Sequence, residues 1–291
     1  MQKVVIAGAG GLIGTALCAS YRYGGHDVTR LVRREPSTAD ERRWDPADPD
    51  PALVDGADVL VNLAGSPLTG RWTAARTELV RSSRVTTARA LRTMADGAGT
   101  PVFLSASGIR WYGIDRGDEE LTEASDPGPY EGVLPRVARD WEDAAGPGAV
   151  HLRLGLVLSR RGGLLKALLP LYRAGLGMRF GKGQEFWSHV SLADAVGAIR
   201  FLAKLPGAGG PYNVTAPHPA RNRDFAAALG RALRRPVALG VPFAVLRPAL
   251  GGVAAEVFGG LNVLPARLEE AGFGFRHPDV DTAIRAALTD G

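Results

Sequence analysis

Lys3 to Tyr23 reads KVVIAGAGGLIGTALCASYRY, and this stretch decides the fold. Val4 to Ala7 is a short all-apolar run, which suits a parallel strand buried on both faces. Gly8, Gly11 and Gly14 follow as GxxGxxG, and Leu12 to Tyr23 predicts a helix stopped by Gly24-Gly25. Glycine is needed in such a turn because the chain bends sharply and the backbone must approach a pyrophosphate without Cβ interference. The helix N-terminus, with Leu12 and Ile13 in its first turn, then offers free N–H groups and partial positive charge to that anion.

Working outward, His26 to Val32 reads as strand two, Val59 to Leu63 as another, and Ala74 to Ala95 as a long helix. Val102 to Ser105 and Val150 to Leu154 are further strands, separated by a helix around Trp141-Glu142. Strands alternating with helices at this spacing predict a doubly wound parallel α/β sheet of the Rossmann type. From about residue 160 the pattern loosens, with helical stretches at 223–234 and 264–288. We therefore expect a dinucleotide-binding domain over 1–160 and a smaller C-terminal lobe over 161–291. Ligands of open α/β sheets sit beyond the carboxyl ends of the strands, so such a lobe would cover a substrate there.

Strand two ends in Leu31-Val32-Arg33-Arg34, about 20 residues beyond the glycine loop, where NAD enzymes place an acid for the ribose 2′-OH. An arginine there suits a 2′-phosphate instead, through paired N–H donors and stacking on adenine. The position predicts NADP(H), with Arg33 as its reader.

Composition closes off other classes. The chain has 291 residues, 45% hydrophobic and 22% charged, which is ordinary for a soluble globular protein. Cys18 is the only cysteine, so no intramolecular disulfide or thiolate zinc cluster can form. The five histidines (26, 151, 189, 218 and 277) show no metal-ligand spacing, and no metal is expected. The net charge of +5 comes from scattered arginines rather than a stripe, which argues against a nucleic-acid partner. The apolar stretch 238–260 is broken by Pro242, Arg247, Pro248 and Glu256, so no membrane span is expected. With the N-terminus read as folded β-α-β rather than a leader, a cytoplasmic location is expected; nothing in the sequence sets an oligomeric state.

The chain resembles the short-chain dehydrogenase/reductase superfamily, and within it the atypical branch called epimerase family proteins. The resemblance is carried by GAGGLIG (8–14), HDVTRLVRR (26–34), NLAG (62–65), SSR (82–84), SASG (105–108) and WYG (111–113). It continues through DWEDAA (140–145), RLGLVLSRRGG (153–163), GPYNVTAP (210–217) and VLPARLEEAGFGFRHPD (263–279), within a family-specific segment at 238–287. It implies cofactor contacts from the glycine loop, Arg33, Leu63, Ala64, Gly65 and Arg84, with Trp44-Asp45 near the adenine. It places Ser105 and Ser107 close to the nicotinamide.

The superfamily's usual chemistry needs a Tyr, with a Lys four residues on that lowers the phenol pKa and binds the ribose. No YxxxK exists in this chain; anchored on Trp141-Glu142, the dyad positions are Leu134 and Ala138. Departures from the branch pattern fall at Ser66, Arg110 and QEFWSHVS (184–191), which carries His189 and Ser191. Of the remaining protic side chains, Ser107 and Tyr112 are the expected catalytic pair, ahead of Tyr130 and His189. The leading reading is an NADP(H)-dependent oxidoreductase acting on a carbonyl, imine or conjugated carbon of a small molecule. An epimerase or dehydratase using the cofactor transiently, and a non-catalytic NADP(H)-binding regulator, are the alternatives.

Overall fold

The computed structural model describes residues 1–68, 70–242, 256 and 258–289. The apolar run after Met1-Gln2 forms β1 (Lys3–Ala7), and the glycine loop leads into α1 (Leu12–Tyr23). Then come β2 (Asp27–Val32), β3 (Glu41–Arg43), β4 (Val59–Asn62), α2 (Ala74–Gly97) and β5 (Val102–Gly108). Helix α3 (Val133–Ala145) precedes β6 (Val150–Leu154). Helices α4 (Gly163–Arg173) and α5 (Leu192–Leu202) separate β6 from β7 (Gly210–Val214). Helices α6 (Asn222–Leu233), α7 (Ala266–Glu270) and α8 (Val280–Thr289) follow.

The seven strands form one parallel sheet in the order β7-β6-β5-β4-β1-β2-β3. The chain leaves β1 toward β2 on one side and returns through β4 on the other, so the order reverses at β1. That reversal opens a crevice at the carboxyl ends of the strands, above the glycine loop. Val4, Val5, Ile6, Val59, Leu60 and Val61 are wholly buried, as strands covered on both faces must be. Leu17, Cys18 and Tyr21 of α1 and Ala195 to Leu202 of α5 cover one face; Ala88, Leu91 and Met94 of α2 and Trp141 and Ala145 of α3 cover the other. A further apolar core joins α4, α6 and α8 around Trp187 and Phe225.

Three details depart from the sequence reading. β3 is a three-residue edge strand of charged residues, ERR, with no apolar alternation to announce it. β7 lies beyond residue 160 yet pairs with β6 inside the main sheet, so the sheet draws on both halves of the chain. The single helical stretch expected at 264–288 is two helices, because Gly272, Gly274 and Pro278 interrupt it. Of the family-specific segment at 238–287, residues 243–255 and 257 lie outside the described residues.

Candidate functional site

Gly8 leaves β1 at φ +82°, and a Cβ there would stand 2.5 Å from the Leu63 carbonyl. The backbones of the glycine loop and the β4 turn therefore cross in contact, which only glycine permits. Gly14 is needed for a similar reason, since its Cβ would lie 2.3 Å from the Gly8 carbonyl oxygen. Gly11 differs: it is the N-cap of α1, in extended geometry, with no side chain capping the helix. The first intrahelical bond runs from Thr15 N–H to Gly11 O at 2.9 Å, so the amides of Leu12, Ile13 and Gly14 have no acceptor within the helix. Free amides of this kind at a helix N-terminus suit an anion.

Beside this loop lies a cleft of about 440 Å³, with Gly8 to Gly11 on one side and Gly65, Ser66, Ser83 and Thr87 on another. Arg33, Arg34 and Trp44 close its third side. The two arginines have different work. Arg34 donates to both oxygens of Glu41, at 2.8 and 2.6 Å, and Glu41 also accepts from Ser37. Arg33 is exposed and its guanidinium has no partner among the described residues. Trp44 is buried against the cleft wall, while Asp45 merely closes a turn by accepting from the Ala47 amide.

Asn62 orders the β4 turn. Its amide oxygen accepts from Ala64 N–H and its nitrogen donates to Ser105 Oγ, both at 3.1 Å. Arg84 lies beneath the same turn: a Cβ on Gly65 would be 3.1 Å from its guanidinium carbon. The Arg84 side chain donates to Val80 O and stacks 5.1 Å over Trp141. Burial first, and then the charge of Arg76, lowers its pKa to about 10.

Ser107, Arg153 and Asn213 are register neighbours across β5, β6 and β7, so their side chains share a face. Glu142 meets them from α3. Arg153 grips its carboxylate with Nε and Nη2, each at 2.9 Å, and Ser107 Oγ donates to it at 2.8 Å. Arg153 Nη1 donates to Tyr112 Oη at 3.0 Å, Tyr112 donates to Asn213 Oδ1 at 2.8 Å, and the guanidinium stacks 3.5 Å over Trp111. Tyr112 is wholly buried, and that burial pushes its phenol above its usual range against the opposing pull of Arg153.

In this geometry the hydroxyls of Ser107 and Tyr112 are both engaged with partners inside the protein. A carboxylate paired with arginine only accepts, so the single hydroxyl hydrogen of Ser107 is taken by Glu142. That of Tyr112 is taken by Asn213. His189 is wholly buried, with Nδ1 3.3 Å from Trp187 O, and Tyr130 is exposed with its hydroxyl on Asp140. Leu134 packs against Trp72, Val80 and Val137, and Ala138 is also buried. Arg110, one of the departures from the branch pattern, donates to the carbonyls of Ile114 and Gly259; burial lowers its pKa to about 10, with Glu256 opposing. The C-terminal segment reaches α3 through Glu256, which accepts from the Val133 and Leu134 amides at 2.8 and 2.7 Å.

Comparison with known proteins matches this arrangement. Residues 4–215 match the NAD dependent epimerase/dehydratase family, and residues 241–287 match a domain of unknown function (DUF1731). The chain belongs to the NAD dependent epimerase/dehydratase family. Among its relatives, epimerase family protein Mb2239 of Mycobacterium bovis is 38% identical, over 98% of this chain and 97% of its own. The crystal structure of human epimerase family protein SDR39U1 with NADPH superposes at a TM-score of 0.90, with 29% identity and 99% of each chain covered. A nucleoside-diphosphate sugar epimerase from Corynebacterium glutamicum gives 0.78 and 34%, covering 99% of this chain and 58% of that one.

In this family member, Glu142, Arg153, Asn62 and Asn213 are the site residues that motif reading passed over. Two carried a signal. Glu142 falls on the apolar stripe of α3 with Leu134, Ala138 and Trp141, and Arg153 interrupts an otherwise buried strand, VHLRL. A charge at an apolar position needs a partner, and here each supplies the other's. Tyr112→Phe is accordingly expected to cost about 1–3 kcal/mol of stability, by leaving Asn213 and an Arg153 N–H unpaired. Cofactor affinity should stay unchanged. Urea midpoints paired with a nucleotide titration check this; a large loss of turnover at unchanged stability would mark Tyr112 as a proton donor.

Proposed function

We propose that this chain is an NADP(H)-dependent oxidoreductase that moves hydride to or from a carbonyl, imine or conjugated carbon of a small organic molecule. The observation that carries the cofactor choice is Arg33: it stands at the end of β2 on the cleft, exposed and unpaired, while its neighbour Arg34 is held by Glu41. A free guanidinium there fits a 2′-phosphate by charge-assisted, paired hydrogen bonds. The residues present fit the rest of the dinucleotide: the uncapped amides of Leu12, Ile13 and Gly14 suit the diphosphate, and the glycine crossing leaves room for it. Leu63, Ala64 and Gly65 would flank the ribose, and Ser105 would act through Asn62, which shapes that turn. When bound, the nicotinamide would supply or accept the hydride. The human relative was solved with NADPH, which agrees with this reading.

Arg33→Ala is expected to weaken NADPH binding by about 10- to 100-fold, the range of a lost hydrogen bond to a charged group, and NADH binding by less than about threefold. Titrating both nucleotides into both proteins checks it, and equal affinities in the wild type would overturn the NADP(H) preference. A non-catalytic NADP(H)-binding role draws support from the engaged hydroxyls of Ser107 and Tyr112. Oxidation of bound NADPH by any carbonyl or enone acceptor would rule that second reading out.

A further inference from the structure

Helix α6 ends at a depression of about 480 Å³ that shares no lining residue with the dinucleotide cleft. Ala227, Gly230, Pro236 and Val237 make its apolar floor, and Arg231, Arg234 and Arg235 stand around it. The floor depends on Gly230. A Cβ there would lie 2.6 Å from Val237 Cγ2 and 2.9 Å from the Arg235 carbonyl oxygen, so the chain turns back directly against the end of the helix.

The three arginines differ in what holds them. Arg231, in the last turn of α6, complements the negative end of the helix and donates to both oxygens of Asp281, at 2.7 and 2.9 Å. Arg234 and Arg235 lie past that turn, exposed, and neither guanidinium has a partner among the described residues. Arg234 also sits in the left-handed region, at φ +53° and ψ +46°, the only non-glycine residue at positive φ among those described. Its backbone closes the helix: the Arg234 and Arg235 amides donate to Arg231 O and Gly230 O at 3.1 and 2.9 Å. Glycine closes a helix in this way without steric cost from a Cβ, so an arginine here lowers stability. Strain of this kind persists where function uses it. With Asp281 answering Arg231, the rim carries two positive charges above an apolar floor. That balance matches a dianion, and guanidinium forks pair with phosphate oxygens two at a time.

We propose that this depression is a second anion site, separate from the dinucleotide cleft, in which Arg234 and Arg235 hold a phosphate dianion, free or as the phosphate of a small monoester whose body lies on the floor. The test follows the amide NMR signals of Gly230, Arg235 and Val237 in the full chain while inorganic phosphate or phenyl phosphate is added at constant ionic strength. Both probes should move those signals saturably. Phenyl phosphate should bind at least about threefold tighter, because its ring covers Ala227, Pro236 and Val237; equal midpoints would make the free ion the ligand. Arg235→Ala and Arg234→Gly should each weaken binding by about tenfold. Arg234→Gly should also melt no lower than wild type, and up to about 3 °C higher, because the strain is released. NADPH affinity should be the same in both variants, which separates this site from the glycine loop. The same drift of signals with sodium chloride alone would show a response to ionic strength and overturn the proposal. So would unchanged phosphate midpoints in both variants. An Arg234→Gly protein that melts well below wild type would also overturn it, by marking Arg234 as a structural residue.

Discussion

Gly11→Val protein is expected to fold and melt close to wild type while losing NADP(H) affinity by more than about 100-fold, roughly 2.7 kcal/mol. The two halves of that result have separate causes. Folding survives because Gly11 sits at φ −77° and ψ 174°, extended backbone that any residue adopts, and its Cβ would meet only the Gly8 carbonyl oxygen at 3.3 Å. Binding fails because the two γ-carbons would stand over the free amides of Leu12 and Ile13, where the diphosphate must come within hydrogen-bond reach. Gly8 and Gly14 are poorer probes, since a Cβ on either would collide with backbone at 2.5 or 2.3 Å and disturb the fold directly. Thermal melts and nucleotide titration of the same preparation settle it. Wild-type affinity in the variant would mean the dinucleotide lies elsewhere.

Glu142→Ala should be the most damaging single change to stability, at about 3–5 kcal/mol. The Arg153 side chain is 3% exposed and Glu142 9%, so removing the carboxylate strands a buried guanidinium that holds three strands and α3 together. Ser107 would lose its acceptor at the same time. Glu142→Ala combined with Arg153→Met should be less harmful than Glu142→Ala alone, because no orphaned charge remains. Denaturant midpoints of the three proteins, at unchanged m-value, provide the check. A cost below about 1 kcal/mol for Glu142→Ala would place the pair with exposed ion pairs.

Much of the architecture could be read from local pattern. The buried strand Val4–Ala7, the glycine spacing and α1 each follow from a few adjacent residues, and the following strands repeat the same logic. Elements without a local signature escaped. Glu41–Arg43 is a strand because β2 offers it hydrogen bonds, and its charged side chains are used in pairing with Arg34 and in facing solvent. Gly210–Val214 begins with Gly-Pro, which gives no strand signal; it becomes a strand by adding to β6, 60 residues earlier in the chain.

The candidate site divides in the same way. Glycines that must lack a Cβ, and an arginine rather than an acid at the end of strand two, are properties of residue type at a position, and sequence shows both directly. Which of two adjacent arginines is free, and where the hydrogens of Ser107 and Tyr112 point, depend on partners at a distance in sequence: Glu41, Glu142 and Asn213. The sequence by itself determined a parallel α/β sheet with a dinucleotide loop at its first turn, because backbone sterics and apolar periodicity act between near neighbours. Only the tertiary structure decided that the hydroxyls of Ser107 and Tyr112 bond to Glu142 and Asn213, and that Arg34 rather than Arg33 is held by Glu41. Hydrogen bonds and ion pairs are settled by which side chains packing brings within about 3 Å, and no local pattern encodes that.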